Sequence, residues 1–137
     1  MLPAMHVGDL MQLDLAKVRP EDTVKDVVSV LATAHVSGLP VVDEDGRIVG
    51  VVSASDIIAA EAAMADHKGR VPLLTQTAVR DIMSPRPYTI GPAADVREVA
   101  RHMHYAGIHR VFVTKEERLL GVISASDIVR AVATGTI

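Results

Sequence analysis

The stretch GVVSASD at residues 50–56 returns as GVISASD at 121–127, with Ile123 in place of Val52 as the only change. A chain of 137 residues that writes one heptapeptide twice is constrained to a fold made of two like units. The duplication runs well beyond the heptapeptide. VGDLM at 7–11 aligns with VRDIM at 79–83, setting Met11 against Met83 at an offset of 72 residues. The same offset pairs Pro20 with Pro92. It then places Val24, Val27, Val28, Leu31 and Ala34 opposite Val96, Val99, Ala100, Met103 and Ala106. Both sets follow the i, i+3, i+4, i+7 spacing of a half-buried helix. Each helix also opens alike: Thr23 has Asp26 three residues on, and Asp95 has Glu98, so both ends predict a capping box.

A short β-rich run follows each helix, LPVV at 39–42 and RVFV at 110–113. Charged turns come next, DEDGR at 43–47 and KEER at 115–118, and Asp45-Gly46 is a strong hairpin signal. The return strands, IVGVVS at 48–53 and LLGVIS at 119–124, lead into the repeated motif. The second turn is one residue shorter, which lowers the offset to 71. Closing helices are predicted from 54 to about 66 and from 125 to about 133, with 67–77 as a connector. One such unit of about 60 residues is marginal alone, and two can share a core. The predicted fold is therefore α+β. Two pseudo-symmetric β-α-β-β-α repeats, 7–66 and 78–135, are expected to pack sheet to sheet in one module.

Composition narrows the function. No cysteine is present, which removes thiolate nucleophiles, disulfides and Cys-ligated zinc, and fits a reducing cytoplasmic location. The opening MLPAMHVGDL lacks a basic stretch ahead of an apolar run, so no signal peptide is expected. The most apolar region, 48–65, is broken by Asp56 and Glu61, so no membrane association is expected. A net charge of −3 and an aromatic content of 2% argue against nucleic acid as a partner.

Ser53 with Asp56 and Ser124 with Asp127 each sit where a strand gives way to a helix, and two readings fit. In one, each Ser-x-x-Asp is a capping box that satisfies orphan helix N–H groups. In the other, the free N–H groups and the positive helix end attract a phosphate, and the carboxylate accepts from the cis-hydroxyls of a ribose. The two roles are compatible.

The assembled pattern resembles a tandem pair of cystathionine β-synthase (CBS) domains, a Bateman module, over nearly the whole chain. It rests on VSGLPVVDEDGRIVGVVSASDII at 36–58 and AGIHRVFVTKEERLLGVISASDIV at 106–129. The resemblance implies a regulator rather than an enzyme, one that binds AMP, ADP, ATP, S-adenosylmethionine or NAD as a ligand and needs no catalytic cofactor. It also implies a homodimer acting on an effector protein. One cleft is expected to combine Ser124, Asp127, His109 and Arg110 with Ala16, Val36 and Ser37. The other is expected to combine Ser53 and Asp56 with Tyr88, Ile108 and His109. By the same resemblance Asp56 and Asp127 hold ribose, Ser53 and Ser124 hold phosphate or water, and Arg110 holds phosphate.

Two departures stand out. Phe112 replaces the proline that the first repeat keeps as Pro40, and Ser37-Gly38 stands where the second repeat has His109-Arg110. The Asp127 cleft is accordingly expected to be the tighter one for a phosphorylated ligand. Other constellations carry less. His102 and His104 lie two apart on a helix and face apart, and His6, His35 and His67 are scattered, so no metal site is expected. Phosphate-loop, dinucleotide and hydrolase motifs are missing. The competing reading is a ligand-independent interaction or dimerisation module whose Ser-x-x-Asp motifs only cap helices.

Overall fold

The computed structural model describes residues 5–63 and 74–136. The end of the closing helix predicted to 66, most of the connector 67–77, and His67 lie outside the described residues. The chain is α+β. Helices run over Val7–Leu10 (α1), Val24–Ala34 (α2), Ala54–Ala62 (α3), Val96–Ala106 (α4) and Ala125–Ala133 (α5), with a 3₁₀ turn at Val79–Asp81. Strands are Gly38–Val42 (β1), Ile48–Ser53 (β2), Ser84–Pro85 (β3), Thr89–Ile90 (β4), Arg110–Lys115 (β5) and Arg118–Ser124 (β6). They form two three-stranded sheets, ordered β1-β2-β3 and β4-β5-β6. Among the described residues no helix is long and apolar enough to cross a membrane.

The chain divides into two compact units, and the division is not a cut at the connector. The first-repeat unit holds residues 16–63 and 74–87; the second-repeat unit holds 5–15 and 88–136. VGDLM therefore belongs to the unit of the second repeat, and VRDIM to the unit of the first. The attachments are the same bonds at an offset of 72. Val7 N donates to Ala94 O and Val79 N to Asp22 O, both at 2.8 Å. Gly8 N donates to Pro92 O at 2.8 Å and Arg80 N to Pro20 O at 3.0 Å.

In the first-repeat unit β1 and β2 pair antiparallel from Gly38↔Ser53 to Val42↔Ile48, and β3 adds to the outer side of β2. The short strand expected at the start of this repeat is reduced to one parallel bridge, Val18↔Val41. The core is Val18, Val27, Leu39, Val41, Val52 and Val79, closed by partly buried Leu31, Ile57 and Met83. In the second-repeat unit β4 runs parallel to β5, and β5 pairs with β6 from Arg110↔Ser124 to Lys115↔Arg118. Its core is Val7, Val96, Val99, Met103, Val111, Val113 and Ile123. The two apolar stripes are not equally buried: Val28, at the margin of the α2 stripe, is exposed.

Helix ends follow the expected chemistry with one correction. Thr23 and Asp26 make the full capping box on α2. On α4 the box with Glu98 is not made, because the Asp95 carboxylate turns to the nearer Arg97 N at 2.8 Å. Short Asp side chains commonly close on the amide two residues on.

Candidate functional site

Each hairpin delivers its last residue to a helix start, and that corner holds the paired Ser and Asp. In the first-repeat unit Ser53 Oγ accepts from Asp56 N at 3.3 Å. Asp56 Oδ2 accepts from Ser53 N at 2.8 Å and from Ser53 Oγ at 3.0 Å. Ala54 N donates to Ser37 O at 2.9 Å, which fixes the Ser37-Gly38 backbone against the corner. Asp56 also lines a groove of about 430 Å³ whose other walls are Ala59, Ala60 and Ala63 of the α3 segment with Thr77, Asp81 and Ile82. Ala16 and Val36 are partly buried against the core of this unit.

The second-repeat corner has the same backbone. Ser124 Oγ accepts from Asp127 N at 3.1 Å, and Asp127 Oδ2 accepts from Ser124 N at 2.8 Å. Ala125 N donates to His109 O at 2.8 Å, so His109-Arg110 stands where the other unit has Ser37-Gly38. Here the likeness stops. Asp127 is only 4% exposed, the one buried charged side chain among the described residues. Its Oδ1 accepts from Gln12 Nε2 at 2.9 Å and from Arg130 Nη1 at 3.3 Å. Burial by itself raises the carboxyl pKa; the bonds from Gln12 and Ser124 and the charge of Arg130 outweigh it and hold the group below its ordinary value. Gln12 and Arg130 were not singled out from sequence. Arg130 was visible as an i, i+3 partner of Asp127. Gln12 carries no comparable signal, since its match with Ser84 is one of several positions at which the two repeats differ.

Arg110 is drawn into the same corner. Burial pushes its guanidinium pKa down and Asp127 pushes it back up, without changing its charge near neutral pH. Its guanidinium carbon lies 5.7 Å from the centroid of the Phe112 ring. The departure from proline at 112 thus gives Arg110 a flat surface to lie over, a cation–π contact. Tyr88 is 50% exposed and stacks on His102 of α4, with centroids 3.9 Å apart and planes at 21°. Ile108 packs against the core of this unit. Among the described residues no three His, Asp or Glu side chains gather as metal ligands.

Two copies of one sheet-and-helix unit, each ending in a Ser-x-x-Asp corner, define a tandem-repeat module. The family model of the CBS domain matches residues 7–63 and again 79–134. The chain belongs to the CBS domain family. The protein YlbB of Bacillus subtilis (strain 168) is 29% identical over 123 residues, covering 89% of this chain and 78% of YlbB. Inosine-5'-monophosphate dehydrogenase of Methanocaldococcus jannaschii is 30% identical over 118 residues, which are 85% of this chain but 21% of the dehydrogenase. Among solved structures, CBSX2 in complex with AMP has a TM-score of 0.81 at 27% identity, with 96% of this chain and 98% of that chain covered. CBSX2 is a CBS-pair protein from Arabidopsis thaliana. The CBS domain pair of protein MJ0100, in complex with 5′-methylthioadenosine and S-adenosyl-L-methionine, shares the fold. Its TM-score is 0.76 at 23% identity, over 97% of this chain and 99% of that one.

Proposed function

We propose that the chain is a regulatory module that senses an adenosyl ligand, AMP, ADP or ATP before S-adenosylmethionine or NAD, at its Ser-x-x-Asp corners. The observation that carries this reading is the pair of corners itself. In each, a strand end, a helix N-terminus and a carboxylate converge within one turn of chain. A helix start favours phosphate and a carboxylate favours a cis-diol, the two ends of a nucleoside phosphate. Membership of the CBS family and 27% identity to CBSX2, a protein seen with AMP, support the same class of ligand. Asp56 and Asp127 are the ribose acceptors in this reading. Ser53, Ser124 and Arg110 face phosphate, and Ala16, Val36, Ser37, Tyr88, Ile108 and His109 contribute the remaining contacts.

The module works as a homodimer that acts on an effector protein rather than as a catalyst. Apolar side chains on both closing helices support association, with Ile58 of α3 68% exposed and Val129 of α5 66% exposed. No residue of α3 is fully buried. Calorimetry with AMP, ATP and S-adenosylmethionine, with GMP and CMP as controls, tests the ligand. Heat and a thermal shift with the adenosyl compounds are expected, because binding to the native state raises its stability by mass action. No response to any of them at millimolar concentration rejects the reading. Light scattering tests the dimer, and a monomer throughout the micromolar range rejects it. A second reading, an interaction module without a ligand, is favoured by the completeness of both capping boxes, which give every motif residue a structural role. It predicts a dimer that ignores nucleotides.

A further inference from the structure

The Asp56 and Asp127 carboxylates differ on the side a ligand would approach. Asp56 Oδ2 is tied to Ser53, and among the described residues its Oδ1 has no donor. Asp127 Oδ2 is tied to Ser124, and its Oδ1 already accepts from both Gln12 and Arg130. A ribose diol donates two hydrogen bonds. At Asp56 it finds an open oxygen, whereas at Asp127 it must first evict a donor from a side chain 4% exposed.

Gln12 is held in place to make this contact. Its N donates to Val122 O at 2.8 Å, and its O accepts from Val122 N at 3.0 Å. A Cβ on Gly121 would stand 2.6 Å from Gln12 O, so glycine at 121 is what lets this backbone come so close. The Gln12 side chain is otherwise exposed, leaving room for its amide to swing away. The matched residue in the other unit, Ser84, pairs with Val51 of β2 in the same manner, but its side chain is far shorter than a glutamine.

Resting on the adenosyl-ligand reading above, we propose that Gln12 is a specificity-determining latch: its amide occupies the diol-accepting oxygen of Asp127 and makes Ser53–Asp56 the corner that takes a ribose first. Arg110 favours a phosphate at the Asp127 corner, and Gln12 opposes the diol there. A ligand that supplies phosphate but no diol gains from Arg110 without meeting the latch. Removing Gln12 should turn the Asp127 corner into the tighter one for a nucleotide.

The test uses the full chain carrying Asp56→Asn, which leaves Asp127 as the one motif carboxylate, titrated with AMP and with 2′,3′-dideoxy-AMP. Gln12→Ser, which installs the residue of the matched position, should tighten AMP about tenfold and leave the dideoxy compound unchanged. A merely structural role for Gln12 would move both ligands together. In the reciprocal experiment, Ser84→Gln in an Asp127→Asn chain should weaken AMP. If Gln12→Ser lowers the melting temperature too far, Gln12→Asn shortens the amide by one methylene and predicts the same direction. AMP binding that is unchanged or weaker after either Gln12 substitution, while the parent chain binds AMP, overturns the latch and leaves the nucleotide reading standing. If folded chains with and without Gln12 all fail to bind AMP, the latch and the nucleotide reading fall together.

Discussion

Asp56 and Asp127 occupy the same place in two copies of one motif, and their surroundings have diverged. Among the described residues the first is half-buried and bonded only to its own serine; the second is buried under an amide, a guanidinium and a backbone N–H. The backbone around them has not diverged. Ala54 N to Ser37 O and Ala125 N to His109 O are the same bond, 2.9 and 2.8 Å long. Duplication has kept the scaffold that sets strand against helix and freed the residues that decide charge and access at the corner. Substitutions that act on the scaffold should therefore hurt both units, and those that act on the corner should separate them.

The largest effect is expected at the glycines of the repeated motif. A Cβ at Gly121 would meet Gln12 O at 2.6 Å, and one at Gly50 would meet Met83 Sδ at 2.6 Å and Ser84 O at 2.9 Å. Both glycines thus serve close approach of a neighbouring segment. At Gly50 the nearest atom is a thioether, which can move aside, and the backbone oxygen stands farther off; at Gly121 the nearest atom is itself a backbone oxygen held in a two-bond bridge, which cannot. Gly121→Ala should cost about 3 kcal/mol, at the upper end of overpacking penalties, and Gly50→Ala about 2 kcal/mol. Urea unfolding measures both, and equal losses would show that the two close approaches are equally rigid.

Next come the carboxylates. Asp127→Ala leaves the Ser124 N–H without its acceptor and removes the bonds from Gln12 and Arg130, a loss of about 2–3 kcal/mol. Asp56→Ala removes half of a capping box, about 1 kcal/mol. Acid should reveal the same order. A carboxylate held below its unfolded value contributes stability that is complete above about pH 4 and is lost as pH falls through its folded pKa. Asp127 is such a group. Asp127→Asn should flatten the loss of stability below about pH 4, measured as thermal melts across a pH series. An acid limb as steep as that of the parent would remove Asp127 from the account.

Much of this architecture was legible in the letters. Spacing within 24–34 and 96–106 located both helices, and the paired Ser-x-x-Asp located both corners at their strand-to-helix junctions. What escaped were contacts between segments far apart in sequence. The 7–11 stretch reads as the start of its own repeat, yet it packs with the other, because the chain enters each sheet from the opposite repeat's leading segment. Gln12 reaches Asp127 across 115 residues, and no local pattern announces such a bond. The Asp95 cap escaped for a smaller reason, since i+2 and i+3 amides compete for one short side chain.

The hairpin turns extend the comparison at lower energy. The first turn places Gly46 at φ +81°, with Asp43 Oδ1 accepting from Asp45 N and Arg47 N. The second is tighter and puts Glu116 at φ +54° and Glu117 at φ +68°. Two left-handed residues in a two-residue loop suit Asn-Gly, and each non-glycine there carries a steric cost. Replacing Glu116-Glu117 by Asn-Gly should stabilise the chain by about 1 kcal/mol. Gly46→Ala should destabilise it by about the same amount. Thermal melts of both variants check the signs, and a destabilising Asn-Gly would mean that the glutamates make compensating contacts.

The smallest expected effect lies at the ends of α2 and α4. His35 and Gly107 are matched positions, and both close their helices in the left-handed region, at φ +55° and +67°. Glycine takes that conformation without a Cβ penalty, which is why it dominates at helix C-termini. Histidine there costs up to about 1 kcal/mol, but glycine also loosens the unfolded chain and returns part of the gain. His35→Gly should therefore raise stability by only about 0.5 kcal/mol. Gly107→His should lower it by a similar amount, which makes the pair a direct check that both repeats impose one backbone at this point. The readout is the denaturation midpoint at constant m-value, since a change in m would mean that the unfolded ensemble had moved instead. Shifts of the same sign in the two variants would show that the caps differ in more than their side chains.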